Sequence, residues 1–240
     1  MRESLAPFWA IMQADLRRLF KSKITYGWLI AAIFLAVISV LTSAALGIAS
    51  VIITTGLSYF IFIWSMIVIG VAASAVSSES GEFADSIMSK SVTRFDYVLA
   101  KFSSRIIYVL AIFAVVSAVQ TGLALRMASN DYETYGLISS ILFVALALIM
   151  LTTIGVALSI AMPNTVIAIV VLLSLWYSMV FVFPLLEELD FLSPSSLMNI
   201  LPEIIQGVWN GEEWKTATGF AAISLASAAL SSVYFSLKDL

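Results

Sequence analysis

A chain with no cysteine and no histidine must do its chemistry with acids, lysines and arginines. That composition excludes disulfides, Cys/His zinc and iron–sulfur sites, histidine-ligated haem and the commonest general base. The charged side chains that remain are concentrated. The stretch SSESGEFADSIMSKSVTRFDYVLAKFSSR, Ser77 to Arg105, holds Glu79, Glu82, Asp85, Lys90, Arg94, Asp96, Lys101 and Arg105 between two long apolar segments. No two acids at the edge of an apolar segment have the spacing that metal-dependent lipid transferases use, so a membrane enzyme is the weakest reading. The chain also lacks a G-x-x-x-x-G-K-[ST] phosphate loop, and cannot hold ATP in that way itself. Mixed charges on a short segment suit an electrostatic docking surface, and they suit a solvated linker equally well.

Within this stretch, TRFD (Thr93 to Asp96) has the form of a capping box. The Thr93 hydroxyl can accept from the Asp96 amide while the Asp96 carboxylate reaches back to the Thr93 amide. A helix starting there runs through Lys101 and Arg105 into the next apolar segment. Upstream, SGEFADSIMSK brings Phe83, Ile87 and Met88 near one helical face with Glu82 and Asp85 beside them. Acids near the start of such a short helix are favoured by its dipole.

The elements that must position these residues are long and apolar. The chain is 61% hydrophobic and 11% charged, with mean hydropathy +1.05, against about a quarter charged in a soluble domain. Lipid is therefore the solvent for most of it. Ile24 to Ser78 and Thr134 to Leu186 carry no charge; each is long enough for two helices of about 20 residues and a turn. The breaks are expected at GIASVIITTG (Gly47 to Gly56) and at AMPNT, where Pro163 and Asn164 favour a turn. Ile106 to Leu125 and Thr216 to Leu237 add single spans, making six. With the N-terminus cytoplasmic, the inner side carries Arg2, Arg17, Arg18, Lys21, Lys23, Lys90, Arg94, Lys101, Arg105 and Lys238, and the outer side only Arg126 and Lys215. This positive-inside bias puts both termini in the cytoplasm. The N-terminus does not have the pattern of a cleaved signal peptide.

Before the first span, Leu5, Phe8, Trp9, Met12, Leu16, Leu19 and Phe20 fall on one helical arc, with Arg17, Arg18 and Lys21 pointing the other way. This pattern predicts a helix lying in the membrane surface, its basic face near anionic headgroups; a cytoplasmic extension of the first span is the plainer alternative. After the fifth span, LEELDFLSPSSLMNILPEIIQGVWNGEEWKT is too long for a tight turn and too apolar to be simply dissolved. Ser193–Pro194 and Leu201–Pro202 have the form of two helix starts. The spans so drawn, with the third from Ile106 to Leu125, carry no Asp, Glu, Lys, Arg or His, which argues against proton or sodium coupling. Their polar or aromatic residues, Ser117, Gln120, Thr152, Thr153, Ser159, Tyr59 and Trp64, are read mainly as interhelical contacts.

The arrangement resembles the permease subunit of type-2 ABC exporters, the ABC-2 family. The resemblance rests on the amphipathic N-terminal segment, six spans, and a charged loop between the second and third. That loop matches the family's loose pattern at Glu79, Gly81, Glu82, Asp85, Ile87, Met88, Ser89, Thr93, Arg94, Asp96 and Lys101, with Ser91 where proline is common. It implies an all-α integral membrane protein in one domain, residues 1–240. An elbow helix at 5–23 contacts the membrane through Phe8, Trp9, Arg17, Arg18 and Lys21. The spans lie at about 24–46, 57–78, 104–126, 136–161, 165–186 and 216–237. A coupling loop occupies 79–101 and an outer re-entrant region 187–215. The resemblance further implies a cell-membrane protein that is not itself catalytic and binds no cofactor. ATP and Mg are held by a separate ABC ATPase subunit, which grips the coupling contacts Glu79, Glu82, Phe83, Asp85, Ile87, Met88 and Arg94. A second permease copy and membrane lipid complete the partners, with no nucleic acid. A six-helix scaffold that binds a cytoplasmic protein without transport predicts the same orientation and loop.

Overall fold

A computed structural model describes residues 6–43, 47–77, 93–129 and 131–237. Its elements are α1 (Ala6–Phe20), α2 (Lys23–Ser43), α3 (Ala49–Phe62), α4 (Ser65–Ala73), α5 (Arg94–Met127), α6 (Thr134–Ala161), α7 (Thr165–Phe181), α8 (Pro194–Ile205) and α9 (Glu212–Leu237). Single 3-10 turns lie at Phe183–Leu185 and Asp190–Leu192. The described residues contain no strand, only one isolated bridge between Ile48 and Ser129. Long runs of Leu, Ile, Val and Ala in lipid leave the backbone no partner but itself, and a helix satisfies it within one segment.

Among the described residues, six helical segments are long and apolar enough to cross a membrane: Lys23–Ser43, Ala49–Ala73, Arg94–Met127, Thr134–Ala161, Thr165–Leu185 and Glu212–Phe235. The chain is thus a helical, multi-pass membrane protein. One end of the bundle is basic, gathering α1, the start of α2 and the start of α5. The other is acidic, gathering Asp131, Glu133, Glu203, Glu212 and Glu213 around the start of α6 and α9. Helix α6 is the hub, packing against α4, α5, α8 and α9, and Phe143, Val144, Ala147, Leu148, Met150 and Leu151 along it are buried.

The second span differs from its sequence expectation. It begins at Ala49 rather than near residue 57, so the Ser/Thr/Gly-rich stretch up to Gly56 is helical. Two of its hydroxyls return to their own helix, Thr55 donating to Val51 O and Ser58 to Thr54 O. Gly56 serves interhelical approach rather than a turn: a Cβ there would overlap the Gln120 side chain of α5, whose Nε2 donates to Ile52 O at 3.1 Å. The left-handed residue is Gly47, at φ 69°. The span is also interrupted. The Ile63 and Trp64 amides both bond Tyr59 O, at 2.9 and 2.8 Å, and the freed carbonyls receive side chains from α7. Trp176 Nε1 donates to Ile61 O at 3.1 Å and Tyr177 Oη to Phe62 O at 2.9 Å.

The acidic end also departs from expectation. Ser193 caps α8 by accepting from the Ser195 amide, with Pro194 in the first turn, as the sequence predicts. Pro202, however, starts no second helix and lies inside α8. Leu197, Met198, Leu201, Ile204 and Ile205 are buried on one side of α8, and that continuous apolar face holds the helix together past the donor that proline lacks. Gly207, at φ 85°, follows the helix end.

Candidate functional site

Helix α5 begins at TRFD with half of the expected capping box: the Thr93 hydroxyl caps the helix, while the Asp96 carboxylate takes the hydroxyl rather than the Thr93 amide. Thr93 Oγ1 accepts from the Asp96 amide at 3.1 Å and donates to the Asp96 carboxylate at 2.6 Å. The helix then continues unbroken for 34 residues, about 50 Å at 1.5 Å per residue, against a hydrocarbon core of about 30 Å. The helix is thus several turns longer than the hydrocarbon is thick, and α1 packs along its charged first turns.

Ser104 and Arg105 stand three and four residues after Lys101 on the face of α5 that meets α1, and all three are buried. They converge on Asp15, which is 6% exposed. Asp15 Oδ1 lies 3.4 Å from Lys101 Nζ and 3.6 Å from Arg105 Nη2, and Ser104 Oγ donates to Asp15 Oδ2 at 2.6 Å. Lys101 Nζ also sits 5.5 Å over the Tyr97 ring. Buried charge is tolerated when each group is paired and its remaining polar atoms are hydrogen-bonded. Next to this cluster, Thr25 Oγ1 donates to Leu19 O at 2.6 Å and pairs with Tyr108 Oη at 2.7 Å, while Phe20 and Trp28 pack on the Tyr108 ring. The result ties α1, the start of α2 and the membrane entry of α5 into one unit.

Asp15 is the residue that the sequence reading missed. Its signal was position: it lies three residues after Met12 and four before Leu19, inside the apolar arc of α1. Met12 is buried, Phe8, Leu16 and Leu19 are half-buried against the bundle, and Trp9 and Phe20 remain exposed. Phe8 and Trp9 meet edge to face at 5.4 Å. Arg17, Arg18 and Lys21 are exposed, and Arg94 is half-buried at the first position of α5. Glu79, Glu82, Phe83, Asp85, Ile87 and Met88 lie outside the described residues. The structure thus brings together α1 and the Lys101–Arg105 part of the charged stretch.

Two smaller polar clusters brace the ends. At the basic end Ser159 Oγ accepts from the Val76 and Ser77 amides at 2.8 and 2.9 Å, and Ser77 Oγ meets Thr165 Oγ1 at 2.8 Å. At the acidic end Asp131 accepts from the Ser50 amide at 3.0 Å, the Ser50 hydroxyl at 2.5 Å and Gln206 Nε2 at 3.4 Å. Partial burial pushes the Asp131 pKa up, but the hydrogen bonds from Ser50 and Gln206 outweigh it and hold the carboxyl below the ordinary aspartate value. Within the spans, Thr152 and Thr153 bond carbonyls of their own helix. With Gln120 and Ser159, they serve packing between and within helices. Among the described residues, no three acids gather in a way that could hold a metal ion.

Comparison with models of known protein families finds no match, and neither does a search of curated proteins.

Proposed function

We propose that the chain is the membrane subunit of an ATP-driven exporter of the ABC-2 type, turning ATP hydrolysis by a separate subunit into outward transport or a conformational signal. The observation that carries this reading is the buried Asp15–Lys101–Arg105 cluster. It fastens α1 to the long rod of α5, whose first residue follows directly on the charged loop. A push on that loop would be passed to α5 and α1 as a rigid body and then to the first span, because packed interfaces switch rather than bend. In this proposal α1 is the elbow helix, the basic end faces the cytoplasm, and the membrane is the cell membrane. Two copies of the chain make the membrane half of the complex. The acidic end, with α8 packed over α6 and α3, closes the outer side. The broken second span supports the same reading, since interrupted helices at membrane depth are tolerated where protein resupplies the hydrogen bonds.

The coupling contacts in this reading are Glu79, Glu82, Phe83, Asp85, Ile87, Met88 and Arg94. Asp85→Arg or Phe83→Ala is expected to lower ATP hydrolysis by the reconstituted complex while the permease stays folded. Undiminished coupling after charge reversal at Glu82, Asp85 and Arg94 together would overturn the assignment.

A further inference from the structure

We propose that the basic halves of the second, fourth and fifth spans form one module that swings about a hinge near mid-membrane, closing a gap beside α2 and α5. The hinge lies where three helices are irregular at one depth. The second span breaks between Ile61 and Ser65, with about 18 Å of chain at helical rise on either side, Ala49 to Ile61 and Ser65 to Ser77. No proline or glycine causes the break. Side chains inserted into the ladder hold it open: Trp176 Nε1 donates to Ile61 O and Tyr177 Oη to Phe62 O. On α6, Gly155 abuts Ala72 so closely that a Cβ there would lie 2.5 Å from the Ala72 Cβ. Both helices run from the acidic to the basic end, so Thr152 and Thr153 stand near the level of Ile69, about one turn from the break. Their hydroxyls bond Leu148 O at 2.7 Å and Met150 O at 2.9 Å, and such back-bonding bends helices.

On the basic side of the hinge the three spans are fastened together. Ser159 of α6 accepts from the Val76 and Ser77 amides at 2.8 and 2.9 Å, and Ser77 Oγ meets Thr165 Oγ1, at the start of α7, at 2.8 Å. Helix α4 packs on α6 and α7. Towards α5 the border is a small apolar cluster, separate from the main core, that joins Ala72, Ala75, Val156 and Ile160 to Val98 and Phe102. The two alanines offer only methyl groups there, so the surfaces can slide. Towards α2 a gap of 510 Å³ separates Ile67, Gly70 and Val71 of α4 from Ile24 and Thr25 of α2 and Tyr108 of α5. A Cβ on Gly70 would meet nothing within 4 Å. Spread over the stretch of α4 from Ile67 to Ser74, about 10 Å long and about 10 Å wide, the gap is room for a movement of about 5 Å. A boundary with so little buried contact leaves two positions of the module close in energy, and both are populated. The hinge belongs to the chain itself and does not depend on the proposed ATPase.

The chain has no cysteine, so pairs of spin labels on the full chain can be read without background by double electron–electron resonance in lipid nanodiscs. Tyr26→Cys on α2 with Val166→Cys on α7 reports across the gap. Tyr26→Cys with Leu99→Cys on α5 reports within the frame, and Met66→Cys on α4 with Val166→Cys within the module; all four positions are exposed. The first pair should give two distance populations about 5 Å apart, the room that the gap allows, and each of the others one. Gly70→Leu, which puts a side chain into the gap, should cut the shorter-distance population about tenfold by overpacking the closed position. Gly122→Leu, where a Cβ also meets nothing but which lies outside the gap, should leave both populations as they are. A single narrow population for Tyr26 with Val166 would overturn the hinge, and this result needs no variant in the gap. Two populations for Met66 with Val166 would mean that the module is not rigid, and would overturn it as well. An equal response to Gly70→Leu and Gly122→Leu would show that the movement does not enter the gap, which overturns its direction.

Discussion

Replacing Asp15 by alanine removes the carboxylate on which three buried side chains converge. Lys101 Nζ at 3.4 Å and Arg105 Nη2 at 3.6 Å each lose this carboxylate partner, and Ser104 Oγ loses its acceptor at 2.6 Å and keeps only Lys101 O at 3.1 Å. All three are at most 5% exposed, so water cannot take the place of the carboxylate without opening the α1–α5 interface. Breaking a buried pair from one side typically costs about 3–5 kcal/mol, most of it the penalty on the charge left behind. Asp15→Asn should be similarly destabilising, because it keeps an acceptor for Ser104 but not the charge. The assay is equilibrium unfolding of the purified chain in mixed micelles, run as a double-mutant cycle with Lys101→Met. The double mutant should be more stable than the sum of the single losses predicts, by about 0.5–3 kcal/mol. If Asp15→Ala lies within about 0.5 kcal/mol of the parent, the range of ordinary surface substitutions, or if the cycle shows no coupling, the buried network does not hold α1 to α5.

Three further outcomes follow from the geometry. Trp176→Phe should cost about 1–3 kcal/mol, the price of a buried acceptor left unsatisfied, since Trp176 Nε1 supplies the Ile61 carbonyl at the break in the second span; tryptophan-to-phenylalanine unfolding curves in mixed micelles would show it, and parental stability would mean the break is satisfied otherwise. Gly136→Ala should be destabilising by about 1–3 kcal/mol through overpacking, because its Cβ would meet the Ile204 backbone carbonyl, whereas Gly70→Ala, facing open space, should be near neutral on that ground; comparing their unfolding curves checks this. The Asp131 pKa is lowered in the folded chain, so its contribution is fully present above the unfolded value of about 3.9. It is lost as pH falls through the folded value. The stability gap between the parent and Asp131→Asn should therefore be constant from neutral pH to about pH 5 and close in stronger acid, which unfolding curves across that range would measure.

The six spans and the start of α5 were legible because each rests on a local signal: charge-free length in one case, and a Thr–Asp pair three residues apart in the other. Charge-free length could not locate the start of the second span. Gly56 was read as a turn residue, but it is small because Gln120, distant in sequence, needs the space. Pro202 was read as a helix start, but tertiary burial of Leu201, Ile204 and Ile205 carries α8 past it. Asp15 was passed over because a single acid in an apolar arc takes its meaning from Lys101 and Arg105, far along the chain. The candidate site was therefore half visible: its cations stood out in the charged stretch, and the anion that organises them emerged only when α1 was laid on α5.

If the proposed ATPase partner exists, the tagged chain recovered from its native membranes under gentle detergent should bring it along. An ABC ATPase should be present at near one-to-one stoichiometry, hydrolyse ATP, and be lost when Asp85 and Arg94 are reversed in charge. Recovery of the folded chain with no ATPase, under conditions that keep other transporter complexes intact, would contradict the proposal and leave a membrane scaffold in its place.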